Sequence, residues 1–408
     1  MPEEAQAATG ARPTHATARA TTTVAGVVAA LVGFTSSFAV VLAGLRAVGA
    51  SDAEAASGLF ALCVAMALGM LVLTWRYRLP VTLAWSTPGA AVLAGTQLSA
   101  GWSDAVGAFV VTALLLLLTA AWPGLGALVA RIPAPIAHAM LAGVLLPLCL
   151  APVLAAVDTP GFVLPGIVVW LLLLRVAPRW AVPGAFAVTL VLIVGWLIGT
   201  GRSVDGPLLP HVAWTVPTWS PAALIGIAVP LYVVTMAAQN VPGVAVMASY
   251  GYPVPWRPSM LVTGLGTLVS APAGGHAVNL AAITAALVAG DDAGPDPDQR
   301  WRAARAVGWT YLVLAVLSAA LVALVVAAPD GVVAAVAGLA LLGTLGSSLR
   351  SALAPERGRE AAVVTFVVAA AGVTLGGVGS AFWALAVGVV VHVLLARREP
   401  SRVPSAAR

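Results

Sequence analysis

The sequence predicts an all-α polytopic membrane protein. Of its 408 residues, 61% are hydrophobic and 9% are charged, whereas a soluble globular chain carries about 25% charged residues. So few charges cannot cover a surface that faces water, and the long apolar runs between them are therefore expected to cross a lipid bilayer as helices. All 20 basic residues are arginine, and their spacing along the chain predicts the topology.

Fourteen apolar runs are candidate membrane spans, because a helix needs roughly 20 apolar residues to cross the hydrocarbon core. Two of these runs, 82–98 and 276–290, are short and follow proline-rich breaks. The other predicted spans are 22–45, 53–75, 103–121, 134–156, 161–176, 181–200, 221–247, 257–271, 303–328, 331–349, 360–377 and 380–396. The polar ends, 1–20 and 397–408, are expected to be cytoplasmic tails, the first of them disordered. The first apolar run is too long for the core of a cleavable signal.

The arginines orient the spans. With the N-terminus placed in the cytoplasm, 18 of the 20 arginines fall in cytoplasmic segments, and Arg46 and Arg202 fall outside. This bias follows the positive-inside rule, and removing one span would invert every later loop and abolish it. The arginines therefore predict an even number of spans with both termini in the cytoplasm. Because they are scattered over short loops, they indicate topology and not a nucleic-acid-binding surface.

The predicted spans divide into two inverted repeats. Fourteen spans make two sets of seven, and because seven is odd the second set must run opposite to the first, a common plan in secondary transporters. We predict a first repeat over 21–200, a periplasmic linker over 201–220 and a second repeat over 221–396. Pro80 and Pro272 each precede the third span of a half and lie 192 residues apart, which supports the division.

The two short spans predict a binding site for an anion. Backbone that is not helical is tolerated inside a bilayer where protein or a water-filled cavity satisfies its polar groups. A half-helix that begins there presents free N–H groups and the positive end of its dipole, and two such starts would face each other across the midplane. We therefore predict ligand contacts from Trp85, Ser86, Thr87, Gly274, Gly275, His276 and Asn279. The alternative is that both breaks serve packing alone.

Uncharged polar side chains in two further spans are expected to line the same cavity. Gln239 and Asn240 precede Pro242 in the eighth span, and Ser36 and Ser37 lie in the first. Amides in an apolar helix are costly unless they are hydrogen-bonded. The alternative is hydrogen bonding between helices without a ligand, at roughly 1 kcal/mol for each contact.

His276 is the candidate proton carrier. An ionisable side chain within the membrane is a functional hypothesis by default, and His276 lies directly after the second break. His138, near the end of a span, is expected to be structural, and His392 lies close to the final arginines. The alternative for His276 is a neutral imidazole that is hydrogen-bonded to a backbone carbonyl.

The sequence also lacks the patterns of several other functions. It contains no Walker A sequence, dinucleotide fingerprint, Cys/His metal spacing or nucleophile elbow. We therefore predict no cofactor, no metal site and no catalytic residues. Cys63 and Cys149 both lie in apolar runs, where they are expected to be packing residues.

Several motifs together resemble one transporter family. They are Trp85–Ala90, Gln239–Gly243, Ser249–Tyr252 and Ala271–Ala286. In sequence and order these motifs are similar to those of the BenE-type benzoate:proton symporters. The resemblance covers nearly the whole chain after about residue 20.

The resemblance implies a fold like that of uracil permease, in a bacterial-type cytoplasmic (inner) membrane. Such a fold has fourteen segments in two inverted repeats, with short extended stretches before half-helices in the third and tenth. A core domain would comprise 21–121 plus 221–328, and a gate domain 134–200 plus 331–396. Related folds form homodimers through the gate domain, so a homodimer is a possible assembly.

The resemblance also implies a substrate, namely benzoate or a similar aromatic carboxylate imported with a proton by alternating access. The nucleobase carriers of this fold have an acid where this chain has Gln239, and its absence fits an anionic substrate. The proton carrier is left open between His276 and the carboxyl group of the substrate. A nucleobase or inorganic-anion carrier of the same fold and an uncoupled anion channel remain alternatives.

If the second break binds the ligand, replacing its polar side chains should impair transport more than folding. We expect His276→Ala and Asn279→Ala to reduce substrate uptake into proteoliposomes far more than they reduce the yield of folded protein. Equal losses of uptake and of folded yield would make both residues structural.

Overall fold

The computed structural model describes residues 15–96, 101–122, 124–125, 132–204, 208–376 and 378–396. This part of the chain is almost entirely helical. Its longer helices are α1 His15–Thr35, α2 Phe38–Ala47, α3 Asp52–Tyr77, α4 Thr87–Ala94, α5 Trp102–Ala121, α6 Ala134–Asp158, α7 Pro160–Val176, α8 Ala181–Thr200, α9 Pro221–Ser249, α10 Trp256–Ser270, α11 Ile283–Ala289, α12 Trp301–Val326, α13 Val332–Leu353, α14 Arg359–Ala370 and α15 Ser380–Ala396. Within the described residues, eight helices are long and apolar enough to cross a membrane, with α1 and α2 taken as one. The predicted class, a helical polytopic membrane protein, is confirmed.

The first span contains a break between α1 and α2. The hydroxyls of Ser36 and Ser37 both donate to the carbonyl of Gly33, at 3.0 Å each. Serine side chains that bond to the preceding turn compete with the helical hydrogen bonds, and the chain makes a turn before α2 begins at Phe38. Both serines consequently lie at an interruption of the span.

The two predicted short spans each consist of a strand followed by a short helix. Strand β1, Leu83–Trp85, precedes the eight residues of α4, and β2, Val278–Leu280, precedes the seven residues of α11. The strands pair antiparallel with one another. Neither 82–98 nor 276–290 is therefore a continuous helix.

The ends of some predicted segments differ from the structure. Helix α1 begins at His15, inside the predicted tail 1–20, because alanine and arginine continue the helix favourably. Residues 1–14 and the C-terminal tail 397–408 lie outside the described residues. The predicted span 360–377 is helical to Ala370, and glycines at positive φ follow.

The linker between the halves packs against the helix ends. The Thr215 N–H donates to the carbonyl of Pro272 at 2.8 Å, and the Thr218 N–H donates to that of Ser103 at 3.0 Å. The Trp102 indole also donates to the Thr215 hydroxyl, at 2.9 Å. The described part of the linker thus joins α5 to the segment that leads into β2.

Helix α9 widens twice into π-helical turns, at Leu224–Ala228 and at Met236–Asn240. Each turn ends two residues before a proline, Pro230 or Pro242. Proline has no N–H and its ring clashes with the carbonyl four residues earlier, and a wider turn accommodates both defects. Such π-turns are frequent at functional sites, and the second one contains Gln239 and Asn240.

The helices pack in two sets. In one set, α3 packs on α12, α5 on α10, α1 on α12 and α2 on α4. In the other, α6 packs on α13 and α14, α7 on α8, and α14 on α15. The contact of α2 with α4 is close enough to require glycine, since a Cβ at Gly44 would lie 2.4 Å from the carbonyl oxygen of Ala90.

A buried arginine fixes the far end of α11. The Arg300 guanidinium donates to the carbonyl of Ala289, the last residue of α11, at 2.6 Å and to that of Gly294 at 2.9 Å. It also pairs with Asp291 at 2.5 Å. One side chain thereby satisfies two carbonyls that follow the short helix, and holds α11 against α12.

We expect Arg300→Gln to lower the thermal unfolding midpoint of the detergent-solubilised protein. Each buried carbonyl left unpaired costs roughly 1–3 kcal/mol. The control is Arg179→Gln, because Arg179 forms an exposed pair with Asp292 at 3.4 Å, and such a pair contributes little. Equal midpoints for the two variants would show that Arg300 does not anchor α11.

Candidate functional site

The crossing of β1 and β2 positions the starts of both short helices. Ala84 is paired with Asn279 at the centre of the ladder. The ladder is extended by the Ser86 N–H, which donates to the carbonyl of Ala277 at 3.0 Å, and by the Ala281 N–H, which donates to that of Thr82 at 2.9 Å. Because the strands are antiparallel, α4 and α11 leave the crossing in opposite directions.

Ser86 joins several elements at the start of α4. Its hydroxyl accepts from the Gly89 N–H at 3.1 Å, as an N-cap does, and accepts from the Thr235 hydroxyl of α9 at 2.8 Å. Its carbonyl oxygen lies 3.0 Å from Nε2 of His276. Ser86 is fully buried, so its interactions fix the position of the α4 start.

A cavity of about 100 Å³ lies beside the crossing. This volume is smaller than the roughly 150 Å³ of an engineered cavity that holds benzene, so an aromatic acid would have to widen the space in order to enter. The start of α4, the start of α11, the break between α1 and α2, and the second π-turn of α9 all contribute to its wall. The lining residues are Gly33, Ser36, Ser37, Ala84, Trp85, Thr87, Pro88, Gln239, Ala281, Ala282, Ile283, Thr284, Tyr311, Ala340 and Thr344.

Aromatic rings form one wall of this cavity. The ring of Trp85 lies 6.0 Å from that of Tyr311 at an interplanar angle of 87°, and 5.5 Å from that of Phe34. The Trp85 indole N–H donates to the hydroxyl of Ser37 at 2.7 Å. The indole is thus held at a fixed angle by the break in the first span. Trp85 and Tyr311 both reach the cavity, although each is 2% exposed.

Gln239 is the amide that lines the cavity. Its Oε1 lies 3.4 Å from Nδ2 of Asn279, and its side chain is partly accessible. No acidic or basic side chain is found among the described residues that line the cavity. Their polar groups are hydroxyls, the Gln239 amide and the backbone at the two helix starts, where the first N–H groups have no partner within the helix.

The two asparagines lie behind the cavity and bond to the backbone of β2. Oδ1 of Asn240 accepts from the Leu280 N–H at 2.8 Å, and its Nδ2 donates to the sulfur of Met236. Nδ2 of Asn279 donates to the Leu280 carbonyl at 2.8 Å. These amides stabilise the strand that carries α11, while Oδ1 of Asn279 is buried without a partner among the described residues.

His276 and the two glycines before it also lie outside the cavity wall. The imidazole is fully buried, with the Phe109 ring 6.3 Å away. Because a carbonyl can only accept, the contact with Ser86 places a proton on Nε2. Gly274 has a φ of +98° and packs on the backbone of Gly58. His276 lies seven positions before Ile283, where α11 begins, so the glycine pair turns the chain into β2 and does not begin the helix.

The structure thus brings together Ser36, Ser37, Trp85, Thr87 and Gln239 as cavity residues. The cavity is also lined by residues that are not among those predicted from the sequence: Thr284 at the start of α11, Tyr311 on α12, and Ala340 and Thr344 on α13. Thr284 lies inside a motif that was recognised. The other three lie in regular helices, and no local pattern distinguishes them.

Comparison with known proteins identifies the family. Residues 16–394 match the family described as "BenE: Benzoate membrane transport protein". This chain belongs to the BenE family. A relative from Escherichia coli (strain K12), the inner membrane protein YdcO, is 42% identical over 377 residues, which cover 92% of this chain and 95% of YdcO. The benzoate membrane transport protein of Acinetobacter baylyi (strain ATCC 33305 / BD413 / ADP1) is 30% identical over 382 residues. The match covers 93% of this chain and 96% of that protein.

Two solved structures of similar fold are described as an anion transporter and a bicarbonate transporter. The murine Slc26a9 anion transporter, in its inward-facing state, has a TM-score of 0.59 at 14% identity and covers 93% of the BenE-family chain and 68% of its own. The transmembrane domain of the cyanobacterial bicarbonate transporter BicA has a TM-score of 0.56 at 15% identity. The match covers 92% of this chain and 97% of the BicA domain. Its membership of the benzoate membrane transport family makes this protein a membrane transporter, not an enzyme.

A negative charge in the cavity should oppose the binding of an anion. We expect Gln239→Glu to weaken the binding of an aromatic carboxylate by at least about tenfold, since like charges repel strongly in a site with little water. Binding is measured as the ligand-induced rise in the thermal unfolding midpoint. The matched control, Gln239→Met, removes the amide without adding charge and should weaken binding less. Unchanged affinity in Gln239→Glu would place this side chain outside the site.

Proposed function

We propose that this protein imports benzoate or a similar aromatic carboxylate together with a proton, by alternating access. The observation that carries the proposal is the cavity, which combines an aromatic wall, an amide and two helix starts without an acidic side chain. An anion is favoured where helix N–H groups and the positive end of a helix dipole are available. A ring is favoured by the flat surfaces of Trp85 and Tyr311.

These features assign the two ends of the substrate. The carboxylate would lie between Thr87 of α4 and Thr284 of α11. In the first turn of α4 this leaves the Thr87 N–H for the ligand, because Pro88 has no N–H and Ser86 caps that of Gly89, whereas α11 offers its first N–H groups. The ring would pack against Trp85, with Gln239 completing the polar side. The hydroxyl of Ser37 is already bonded to the Trp85 indole, so the break in the first span acts chiefly by holding the ring surface. His276 and the asparagines act from behind the strands.

The two packing sets are proposed to be the two moving parts. The set with α1 to α5 and α9 to α12 corresponds to a core domain, and the set with α6 to α8 and α13 to α15 to a gate domain. Every wall residue of the cavity belongs to the first set except Ala340 and Thr344, which belong to α13. Movement of α13 relative to the crossing would therefore open or close the site. Fourteen segments in two inverted repeats would provide this arrangement.

Two groups are proposed as carriers of the proton: His276 and the carboxyl group of the substrate. His276 is bonded to a carbonyl and lies away from the cavity, which favours movement of the proton with the substrate itself. The protein would be placed in the cytoplasmic (inner) membrane with both termini inside, following the arginine bias, and a homodimer would form through the gate set.

Uptake into proteoliposomes tests the proposal. We expect labelled benzoate to accumulate faster with an inward proton gradient than without one. When a protonophore collapses the gradient, the rate should fall to the value measured without a gradient. The rate should saturate, and internal benzoate should exchange with external benzoate. Gradient-independent, unsaturable flux would instead identify an uncoupled channel.

An inorganic-anion carrier is the second candidate, because structures of similar fold include an anion transporter and a bicarbonate transporter. The aromatic wall argues against it, since rings offer no hydrogen bonds to a small hydrated anion. Competition separates the candidates: another aromatic acid should inhibit benzoate uptake, whereas sulfate, bicarbonate and uracil should not. Inhibition by sulfate or bicarbonate alone would favour the second candidate.

A further inference from the structure

A second, larger cavity lies at the surface between α1 and α12. It has a volume of about 510 Å³ and lies beside the start of α12, far along the chain from the residues of the crossing. Its wall includes Val27 from α1 and Trp301, Arg302, Arg305 and Trp309 from α12. None of these residues lines the central cavity. We refer to this surface as the α1–α12 groove.

Two arginines give the groove a positive charge. The Arg305 guanidinium lies 4.7 Å from the centre of the Trp301 ring, and that of Arg302 lies 5.6 Å from it. Neither arginine forms an ion pair within the described part of the chain. The stacking on one indole holds both cations at the same place, and leaves their N–H groups available to an anion.

The acids of the preceding loop do not neutralise this charge. Asp291 pairs with Arg300 and Asp292 with Arg179. The Asp296 carboxylate accepts from the N–H of Asp298 within its own turn. These carboxylates are absent from the lining of the groove. Within the described residues, therefore, no carboxylate neutralises the two arginines of the groove.

An exposed apolar track continues from the groove along the two helices. Val24 and Leu31 on α1 are exposed, as are Trp309, Val313 and Val316 on α12. Their spacing of three, four or seven residues places them on one face of each helix. The polar loop ends where α12 begins, so the arginines lie at the boundary between water and lipid, and the track runs into the membrane.

We propose that the α1–α12 groove binds an anionic phospholipid. Its phosphate head group would lie between Arg302 and Arg305, and an acyl chain would lie along the apolar track. Basic pockets between membrane helices at the cytoplasmic side are suited to acidic head groups, and interfacial tryptophan anchors such contacts. This assignment does not depend on which anion the central cavity carries.

The groove is connected to the central cavity through both of its helices. Thr310 lines the groove and its neighbour Tyr311 lines the cavity. On α1, Val27 of the groove is six residues from Gly33 of the cavity, roughly 9 Å along the helix. A lipid that holds α1 against α12 would therefore stabilise one wall of the substrate site, and transport should depend on anionic lipid.

Native mass spectrometry of the full-length protein tests the proposal. Phosphatidylglycerol and phosphatidylcholine with identical acyl chains are added in turn, and retained lipid is counted. We expect preferential retention of phosphatidylglycerol, weakened about fivefold in Arg305→Gln and about 25-fold when Arg302→Gln is added, as a contribution of roughly one charge contact for each arginine predicts. Benzoate uptake by the wild-type protein should also be faster in liposomes that contain phosphatidylglycerol than in liposomes of phosphatidylcholine alone.

The matched control is Arg202→Gln. Arg202 lies 4.8 Å from the centre of the Trp196 ring at another groove, so this variant removes a stacked arginine elsewhere and should retain the lipid preference. An equal loss in Arg202→Gln would overturn the proposal in favour of a general charge effect. Equal retention of both lipids by the wild type, which needs no variant to fold, would also overturn it. Displacement of phosphatidylglycerol by inorganic phosphate alone would identify an ion site instead.

Discussion

The structure depends on how two non-helical segments satisfy their backbone inside a membrane. A bilayer offers no water to unpaired N–H and C=O groups, and β1 and β2 meet this requirement by pairing with each other. The Ser86 N–H extends the pairing by donating to the carbonyl of Ala277, and Asn240 of α9 accepts from the Leu280 N–H. Because the two breaks complete each other, each short helix begins at a fixed point beside the same cavity. A single break would leave its strand without a partner.

This constraint also explains why some polar residues bond to the backbone of the two breaks whereas another lines the cavity. Asn279 lies on β2, His276 lies two residues before it, and Asn240 reaches it from α9. All three side chains bond to backbone groups of the two breaks, so they maintain the crossing. Gln239, in the same π-turn as Asn240, is left free to line the cavity. The cavity consequently has polar groups but no fixed charge, which is a suitable environment for an anion that also has an apolar ring.

Helices α1 and α12 connect the central cavity to the groove at the protein surface. Each lines the central cavity at one level, through Gly33 or Tyr311, and the surface groove at another. Arg300 holds α11 to the start of α12. Under the lipid proposal, binding at the groove would act on the central cavity through these two helices, without any movement of the crossing itself.

The sequence by itself determined the class, the positions of the breaks and the family, because hydropathy, proline and glycine act locally and the motifs are contiguous. Ser36, Ser37, Trp85, Thr87 and Gln239, which local sequence predicts as ligand contacts, line the cavity. The tertiary structure decided which polar residues face the cavity. His276 was placed with the ligand from its position after a glycine pair, whereas the strand that follows directs it to Ser86. Tyr311, Ala340 and Thr344 lie in ordinary helices, and only packing against distant segments brings them to the site, since no local pattern records which face of a buried helix meets a cavity.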